Sequence, residues 1–324
     1  MEKLLVGNIA AALCAALVAL PVGAQDFPTK QPVKLIVTFA PGGGADTIAR
    51  TLNVKMGEAL GQAVIVENKA GAGGAIATDF VAKSPPDGYN VLFTVSSHSI
   101  NQALVPALPF DTERDLRGVT LIGALPQILA VHPSTPAGNL QEWIALGRKE
   151  PRYQQYATGG IGSPGHFAGA LLQSQAKLSL VHVPYKGAGP AIADVVGNQV
   201  PAVLGTLSGI LPHIKAGRLK GIALTSRNRS PLLPDVATIA ESGFPGYESD
   251  TWVGTFVPRA TPDAVVARLH AATLAALKDP AVAARMESQA GFIIGGSPTE
   301  LDAVVAREIK AFTQVVREQG LKPE

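Results

Sequence analysis

Residues 37–50 read VTFAPGGGADTIAR, and this stretch joins an apolar strand to a helix through three consecutive glycines. The strand is predicted over 33–39, Pro41 ends it, and Asp46 or Thr47 is placed to cap the helix that follows. Glycines let a ligand approach the backbone closely, and the free N–H groups of a helix N-terminus favour a carboxylate or phosphate. A plain strand-to-helix turn has the same signature, so the rest of the chain must decide.

The first 24 residues have the composition of a secretory signal peptide. A charged head precedes an apolar run over 4–20, and small residues suit cleavage after Ala24. The only cysteine, Cys14, lies inside this segment, and Leu13 before it is a poor match to a lipoprotein cleavage site. We therefore expect a soluble, thiol-free product in the periplasm, without disulfides or thiolate metal sites.

Composition and charge exclude several classes of protein. The formal net charge is +2 over 324 residues, aromatic residues make up 5%, and there is no block of lysine and arginine. Nucleic-acid binding therefore has no support. No two of the six histidines have the i, i+4 spacing of a zinc-binding helix, and HExxH is absent. We expect neither a metal site nor a cofactor.

Beyond residue 25, short β-rich runs alternate with amphipathic helical stretches, which predicts an α/β fold around mainly parallel sheets. Strands are expected at 33–39, 63–67, 89–95, 119–131, 153–157, 179–184, 200–204, 219–225 and 252–257. Helices are expected at 46–59, 73–83, 139–149, 164–176, 188–197, 208–216, 262–277, 280–289 and 298–318.

The long strand-like segments 119–131 and 251–258 lack a strong internal turn signal apart from one proline. Each is a candidate for a passage from one domain to another. Domain 1 would then comprise 25–125 and 253–324, domain 2 would be inserted over 126–252, and a ligand cleft would lie between them. A single doubly wound sheet is the alternative.

A second glycine loop, ATGGIGSPGH at 157–166, again follows a strand and opens a helix. Gly160, Gly162 and Gly165 satisfy GxGxxG, but a dinucleotide site needs an acidic residue about 20 positions later, and 151–193 contains no Asp or Glu. NAD is therefore not expected. The same acid-free stretch is mildly basic, which suits an anionic ligand.

Two further strand ends carry polar residues. The segment VPYKGAGP at 183–190 places Lys186 in a glycine turn, where it is either an anion contact or a solvated loop lysine. Ser96, Ser97 and His98 follow the strand over 89–95, where they either donate to a carboxylate or cap a helix.

Hydrolase chemistry is a further alternative, because Ser163 lies three residues before His166 and Ser97 directly before His98. Neither serine is in G-x-S-x-G, and the members of a catalytic triad normally come from separate loops. An exported esterase or amidase is therefore the least favoured class, and we expect no enzyme. A structural role is expected for His182, at a strand end.

The chain resembles, along essentially all its mature length, the Bug-type receptors, which are periplasmic solute-binding proteins of tripartite tricarboxylate transporters. The segments that carry the resemblance are 39–50, 64–77, 85–89, 182–191, 211–226, 233–248 and 320–324. The resemblance implies a type II periplasmic-binding-protein (Venus flytrap) fold, with two α/β domains joined by two hinge strands. It implies a small carboxylate ligand, delivery to two integral-membrane transporter subunits, and a monomer. A periplasmic sensor that signals to a membrane kinase is the alternative.

Matching positions imply a set of ligand contacts drawn from four loops. They are Phe39, Ala40, Gly42, Gly43, Asp46, Thr47, Ser96, Ser97, His98, Thr158, Gly159, Ser163, His166, Lys186 and Gly187. The aromatic ring of Phe39 is expected to shape the pocket wall, and Asp46 to cap its helix or orient a water.

One departure from the family pattern concerns the ligand. Many relatives carry Phe-Asp-Asn where this chain has Leu204, Gly205 and Thr206, and the last two are counted as site residues. Without a carboxylate there, a buried ligand ammonium would lack a partner, at a cost of several kcal/mol. We therefore expect amine-free mono- or dicarboxylates, aromatic ones included, to bind better than amino acids.

Overall fold

The computed structural model describes residues 27–39, 41, 44–185 and 187–322. The signal peptide expected over 1–24 lies outside these ranges, and so do four expected site residues, Ala40, Gly42, Gly43 and Lys186. Within the described ranges, no helix is both long and apolar enough to cross a membrane.

The described strands are β1 (Val33–Val37), β2 (Val64–Asn68), β3 (Asn90–Val95), β4 (Leu116–Leu125), β5 (Gln127–Val131), β6 (Gln155–Thr158), β7 (Val181–Pro184), β8 (Ala202–Thr206), β9 (Lys220–Leu224), β10 (Thr251–Pro258) and β11 (Phe292–Gly296). The described α-helices are α1 (Gly44–Leu60), α2 (Ala75–Ala82), α3 (Ser97–Leu104), α4 (Thr112–Asp115), α5 (Leu140–Lys149), α6 (Pro164–Ala176), α7 (Ala188–Val196), α8 (Leu207–Lys215), α9 (Asp263–Leu277), α10 (Pro280–Ser288) and α11 (Pro298–Gln319).

The strands form two mixed sheets, with the orders β11-β4-β10-β3-β1-β2 and β7-β6-β8-β5-β9. In the first sheet β1 is parallel to β2 and β3, whereas β10 is antiparallel to β3 and β4, and β11 is antiparallel to β4. In the second sheet β6 is parallel to β7 and β8, whereas β5 is antiparallel to β8 and β9. The expectation of mainly parallel sheets is therefore wrong. The strands β5 and β10 follow the two passages between the sheets, and each is antiparallel to both of its neighbours.

The chain passes between the sheets twice. Pro126 separates β4 of the first sheet from β5 of the second, so the single strand expected over 119–131 is two strands. The return lies between β9 and β10, and all of β10 pairs with the first sheet. The expected domain boundary after residue 125 coincides with the first passage, and the one after residue 252 falls inside β10. Both boundaries stay predictions.

Hydrogen bonds tie the two passages together. Gln127 Nε2 donates to the Ser249 carbonyl at 3.0 Å, and the Gln127 N–H donates to Thr225 Oγ1 at 3.1 Å. Gln127 is 1% exposed, so its amide is paired where water is scarce. The two segments that join the sheets are therefore held to each other.

Each sheet buries residues on both of its faces. In β1, Val33, Leu35 and Val37 contribute to one core and Ile36 to another, as the period of two in a strand requires. A separate cluster joins the sheets through helices. It contains Ile100 and Leu104 of α3, Phe167 of α6 and Phe312 of α11.

Besides the short helix α4, one strand and one longer helix of the described structure were not expected from the sequence. The strand β11 contains Gly295, whose φ is 65°, and one register irregularity, so it has no strand signature of its own. Helix α3 opens with Ser97, His98 and Ser99, residues that favour caps over helix interiors. Pairing with β4 in one case and packing against Phe167 and Phe312 in the other stabilise them.

Candidate functional site

A polar network around Asp46 joins the first turn of α1 to the ends of β1 and β2. Helix α1 begins at Gly44, so Asp46 lies in its first turn, and the expectation that Asp46 or Thr47 caps the helix is wrong. The Asp46 carboxylate is 1% exposed, and it accepts Arg50 Nε at 3.0 Å and Asn68 Nδ2 at 2.8 Å. Its charge is therefore balanced within the chain.

Asn68, at the end of β2, links this network to Phe39, which follows β1. Its Nδ2 also donates to the Phe39 carbonyl at 2.9 Å, and its Oδ1 accepts Arg50 Nη2 at 2.9 Å. The side chain of Phe39 is half-buried against the first-sheet core. Asp46 thus fixes the position of Phe39 through Asn68, a residue that the sequence analysis did not single out.

A run of buried polar side chains begins at the end of β3. Ser96 is 2% exposed, Ser97 8% and His98 2%. Among the described residues, no hydrogen-bond partner reaches either serine hydroxyl or either nitrogen of the His98 ring. An unpaired buried polar group costs about 1–3 kcal/mol, so these three residues carry an energetic cost within the chain.

His98 is packed among aromatic rings. Its ring centroid lies 4.6 Å from that of Phe256 and 6.4 Å from that of Trp252. Burial lowers the pKa of His98 to about 3, so the ring is neutral at neutral pH. A neutral imidazole has one N–H donor and one acceptor nitrogen. His98 can therefore give a hydrogen bond without adding a charge.

The serine at the second glycine loop is engaged within the chain. Ser163 caps α6, since its Oγ accepts the His166 N–H at 3.3 Å, and the same hydroxyl donates to the Gly160 carbonyl at 2.7 Å. The His166 ring instead accepts the Gly162 N–H at Nδ1, at 3.2 Å. Neither Ser163 with His166 nor Ser97 with His98 forms the hydrogen-bonded pair that a nucleophilic serine requires.

Two histidine rings stack beside this loop. The centroids of His166 and His182 are 4.0 Å apart, with an interplanar angle of 14°, and His182 Nε2 lies 2.7 Å from Thr158 Oγ1. Burial lowers the pKa of His166 to about 4 and that of His182 to about 3, where His166 adds to the effect. The pair is therefore uncharged at neutral pH. His182 has the hydrogen-bonded environment expected of a structural histidine.

The loops after β6 and β7 touch each other. Gly187 donates to the Gly159 carbonyl at 3.2 Å, and Tyr185 donates to the Thr158 carbonyl at 3.2 Å. Gly187 has a φ of 113° and directly precedes α7. This conformation favours glycine and turns the chain into the helix.

The end of β8 carries the two residues that depart from the family pattern. Gly205 pairs with Ile128 in β5, and Thr206 pairs with Gln127 directly after Pro126. A Cβ added at Gly205 would meet only Ile210 Cδ1, at 3.6 Å, which is ordinary contact. The backbone therefore does not require glycine at residue 205.

The expected residues form two groups. Phe39, Asp46 and Thr47 share one sheet edge with 96–98, since Thr38 donates to the Phe93 carbonyl at 3.3 Å. The second group lies at the ends of β6, β7 and β8. A Cβ on Gly162 would lie 3.3 Å from Leu104 Cδ2, so the second glycine loop abuts the end of α3.

A cavity of about 720 Å³ lies elsewhere, between α11 and the second passage. Its walls include Tyr247, Asp250, Trp252 and Glu308, none of which is an expected site residue. Burial raises the pKa of Asp250 and that of Glu308 to about 7. The described residues contain no group of three or more His, Cys, Asp or Glu side chains that could hold a metal ion.

Comparison with known proteins assigns the family. The family model described as "Tripartite tricarboxylate transporter family receptor" matches residues 48–321. The chain belongs to this family. The "Protein BugT" of Bordetella pertussis (strain Tohama I / ATCC BAA-589 / NCTC 13251) is 34% identical over 307 residues, which cover 94% of each chain. The resemblance to Bug-type receptors is thereby confirmed.

Solved structures of similar proteins confirm the predicted fold class of the receptor family. One, described as "R. palustris Rpa4515 with adipate", is 31% identical with a TM-score of 0.76, over 92% of this chain and 100% of the other. Another, described as "MatC (Rpa3494) from Rhodopseudomonas palustris with bound malate", is 32% identical with a TM-score of 0.73, over 90% of this chain and 100% of the other. Members of the family are periplasmic solute-binding receptors, and these two were solved with small carboxylates.

Proposed function

We propose that this chain is a non-enzymatic periplasmic receptor that captures a small carboxylate and delivers it to the two integral-membrane subunits of a transporter. It is exported by the signal peptide over 1–24 and acts as a monomer. The ligand lies between domain 1 (25–125 and 253–324) and domain 2 (126–252), which close around it.

The observation that carries the proposal is the set of unpartnered polar atoms at Ser96, Ser97 and His98. They lie at the N-terminus of α3, where the helix dipole favours an anion, on the sheet edge that also bears the first glycine loop. Hydroxyls and a neutral imidazole can bind a carboxylate without burying a second charge. The adipate and malate bound by the two similar proteins are carboxylates of this kind.

The remaining site residues come from both domains. On the first loop we assign Ala40, Gly42, Gly43 and Thr47 to the ligand site, together with the ring of Phe39. From the other domain come Gly159, His166, Lys186, Gly187, Gly205 and Thr206. Thr158 and Ser163 use their hydroxyls within the second glycine loop and therefore shape it, whereas Asp46 uses its carboxylate to bind Arg50 and Asn68.

The ligand is an amine-free mono- or dicarboxylate. Gly205 provides no carboxylate to pair with an ammonium, and the buried carboxylate of Asp46 already has Arg50 and Asn68 as partners. A ligand ammonium would remain unpaired at a cost of several kcal/mol. Aspartate should therefore bind much more weakly than malate, which carries a hydroxyl in place of the amino group.

Thermal unfolding and calorimetry on the mature chain test this proposal. The panel contains adipate, malate, benzoate, aspartate and glutamate, with NAD and a simple ester as controls. A ligand at 100 times its Kd should stabilise the protein by about 2.7 kcal/mol. The S96A/S97A double variant should lose most of this effect. No response to any carboxylate, or turnover of the ester, would contradict the proposal.

A further inference from the structure

The rings of His166 and His182 contact the second glycine loop at Gly162 and Thr158. The strand β7 places His182 opposite Tyr156 of β6, and their ring centroids are 5.3 Å apart. On its other side His182 stacks on His166 at 4.0 Å. His182 is thus held in one position, with its Nε2 against Thr158 Oγ1 at 2.7 Å.

Thr158 Oγ1 is the centre of the loop's internal hydrogen bonds. It accepts the Gly160 N–H at 3.2 Å, and Ser163 Oγ lies 3.3 Å from it. Thr158 is fully buried, so water does not satisfy this hydroxyl. Since the contact with His182 is the shortest that Thr158 Oγ1 makes, His182 orients the atom from which the loop is held.

His166 holds the loop at a second point. Its Nδ1 accepts the Gly162 N–H, which places the proton of the neutral ring on Nε2. Gly160 and Gly162 have positive φ values of 126° and 75°. Glycine adopts positive and negative φ about equally readily, so the backbone alone does not select this conformation. These two side-chain anchors hold the loop together with the bonds from Ser163 N–H and Oγ to the Gly160 carbonyl.

We propose that His182, acting through Thr158 Oγ1 and together with His166, is a positioning residue that holds the second glycine loop in its ligand-binding conformation. This inference rests on the proposed carboxylate site. Both rings are neutral at neutral pH, because their pKa values are lowered to about 3 and about 4. The pair acts through geometry and brings no cation to the site.

The two rings use different nitrogens, and this difference provides the test. Glutamine places a polar group near the position of imidazole Nε2, whereas asparagine places one near Nδ1. H182Q can therefore keep the contact with Thr158, and H182N cannot. For His166 the order is reversed, because its Nδ1 makes the contact, so H166N is the matched variant and H166Q the mismatched one.

We expect calorimetry with malate and adipate to show about tenfold weaker binding for H182N than for H182Q, and for H166Q than for H166N. The opposite preference for Asn and Gln at the two positions is the signature of positioning, since a role in packing alone would not produce it. T158V should weaken binding as H182N does, and T158S should restore it.

Thermal unfolding without ligand separates affinity from folding. The difference in ligand affinity must appear between variants that remain folded. If a histidine variant does not fold, the comparison of T158V with T158S provides the same test. Equal affinities of H182N and H182Q, or of T158V and T158S, would overturn the inference while the wild type still bound its ligand. A wild type that binds no carboxylate would instead overturn the proposed function.

Discussion

The indole N–H of Trp252 donates to Oε2 of Glu308 at 2.7 Å, and this bond joins β10 to α11. Both side chains line the cavity of about 720 Å³, and Asp250 lies two residues before Trp252 on the same wall. The carboxyl of Glu308 is therefore held beside the second passage between the sheets. Its burial there has a consequence for stability.

Stability should fall as pH rises from about 4.5 to about 7 because of this carboxyl. Burial raises the pKa of Glu308 from 4.5 to about 7, so between these values the folded protein binds the proton more tightly than the unfolded chain. The resulting cost is absent at pH 4, grows up to about pH 7 and is complete above it. At pH 8, E308Q should unfold at a higher urea concentration than the wild type, and its free energy of unfolding should be greater by roughly 1–3 kcal/mol.

Urea titrations at pH 4 and pH 8 check this expectation. At pH 4 the wild-type carboxyl is protonated and the two proteins should be nearly equally stable. D250N should behave in the same way, since the pKa of Asp250 is also raised to about 7, mainly by burial. If E308Q left the pH dependence unchanged, Glu308 would not be the group responsible.

Introducing a carboxylate at residue 205 should change ligand preference. Gly205 has room for a side chain, with only Ile210 Cδ1 in contact at 3.6 Å. In G205D the new carboxylate can pair with a ligand ammonium, so aspartate should bind measurably and malate more weakly than in the wild type. Calorimetry with both ligands measures the exchange.

G205A is the control for this change, because it adds the Cβ without the charge. It should keep the preference for malate over aspartate. Tight binding of aspartate by the wild type or by G205A would show that the absence of an acid at residue 205 does not set the preference.

The contact between the second glycine loop and α3 should make Gly162 less replaceable than other glycines. G162A would suffer both the positive φ of 75° and the proximity of Leu104 Cδ2 at 3.3 Å. Gly217 has a similar φ of 68° with no atom within 4 Å of an added Cβ, so G217A reports the backbone term alone. That term is about 1 kcal/mol.

The difference between the free energies of unfolding of the two variants in urea measures the effect of the contact with Leu104. G162A should lose more stability than G217A, because the neighbour must move by a few tenths of an ångström. Equal losses would mean that the loop does not press on α3.

The helix cluster between the sheets should contribute strongly to stability. The rings of Phe167 and Phe312 lie 4.9 Å apart, and both residues are buried. F312A would leave a cavity and cost about 3–5 kcal/mol. Phe292 is 43% exposed on β11, so F292A should cost about 1 kcal/mol or less. Similar losses in the two variants would contradict a packed junction.

Local chemistry accounts for what could be predicted from the sequence. The bounds 164–176 agree with α6 because Ser163 and Pro164 mark its start within the chain itself. Short stretches of sequence likewise reveal the glycine loops, the alternation of strands and helices and the family resemblance. They were sufficient for the α/β class, and they predict the group of strand-end loops that we propose as the ligand site.

Only the tertiary structure decided which of these residues have free polar atoms. Ser163 and Ser97 look equally available in the sequence, yet the first is bonded within its loop and the second has no partner among the described residues. The stacking of His182 on His166 and the raised pKa of Glu308 also depend on residues distant in the chain. Local patterns predict where a helix or loop begins, whereas burial and hydrogen-bond partners arise when separate segments come together.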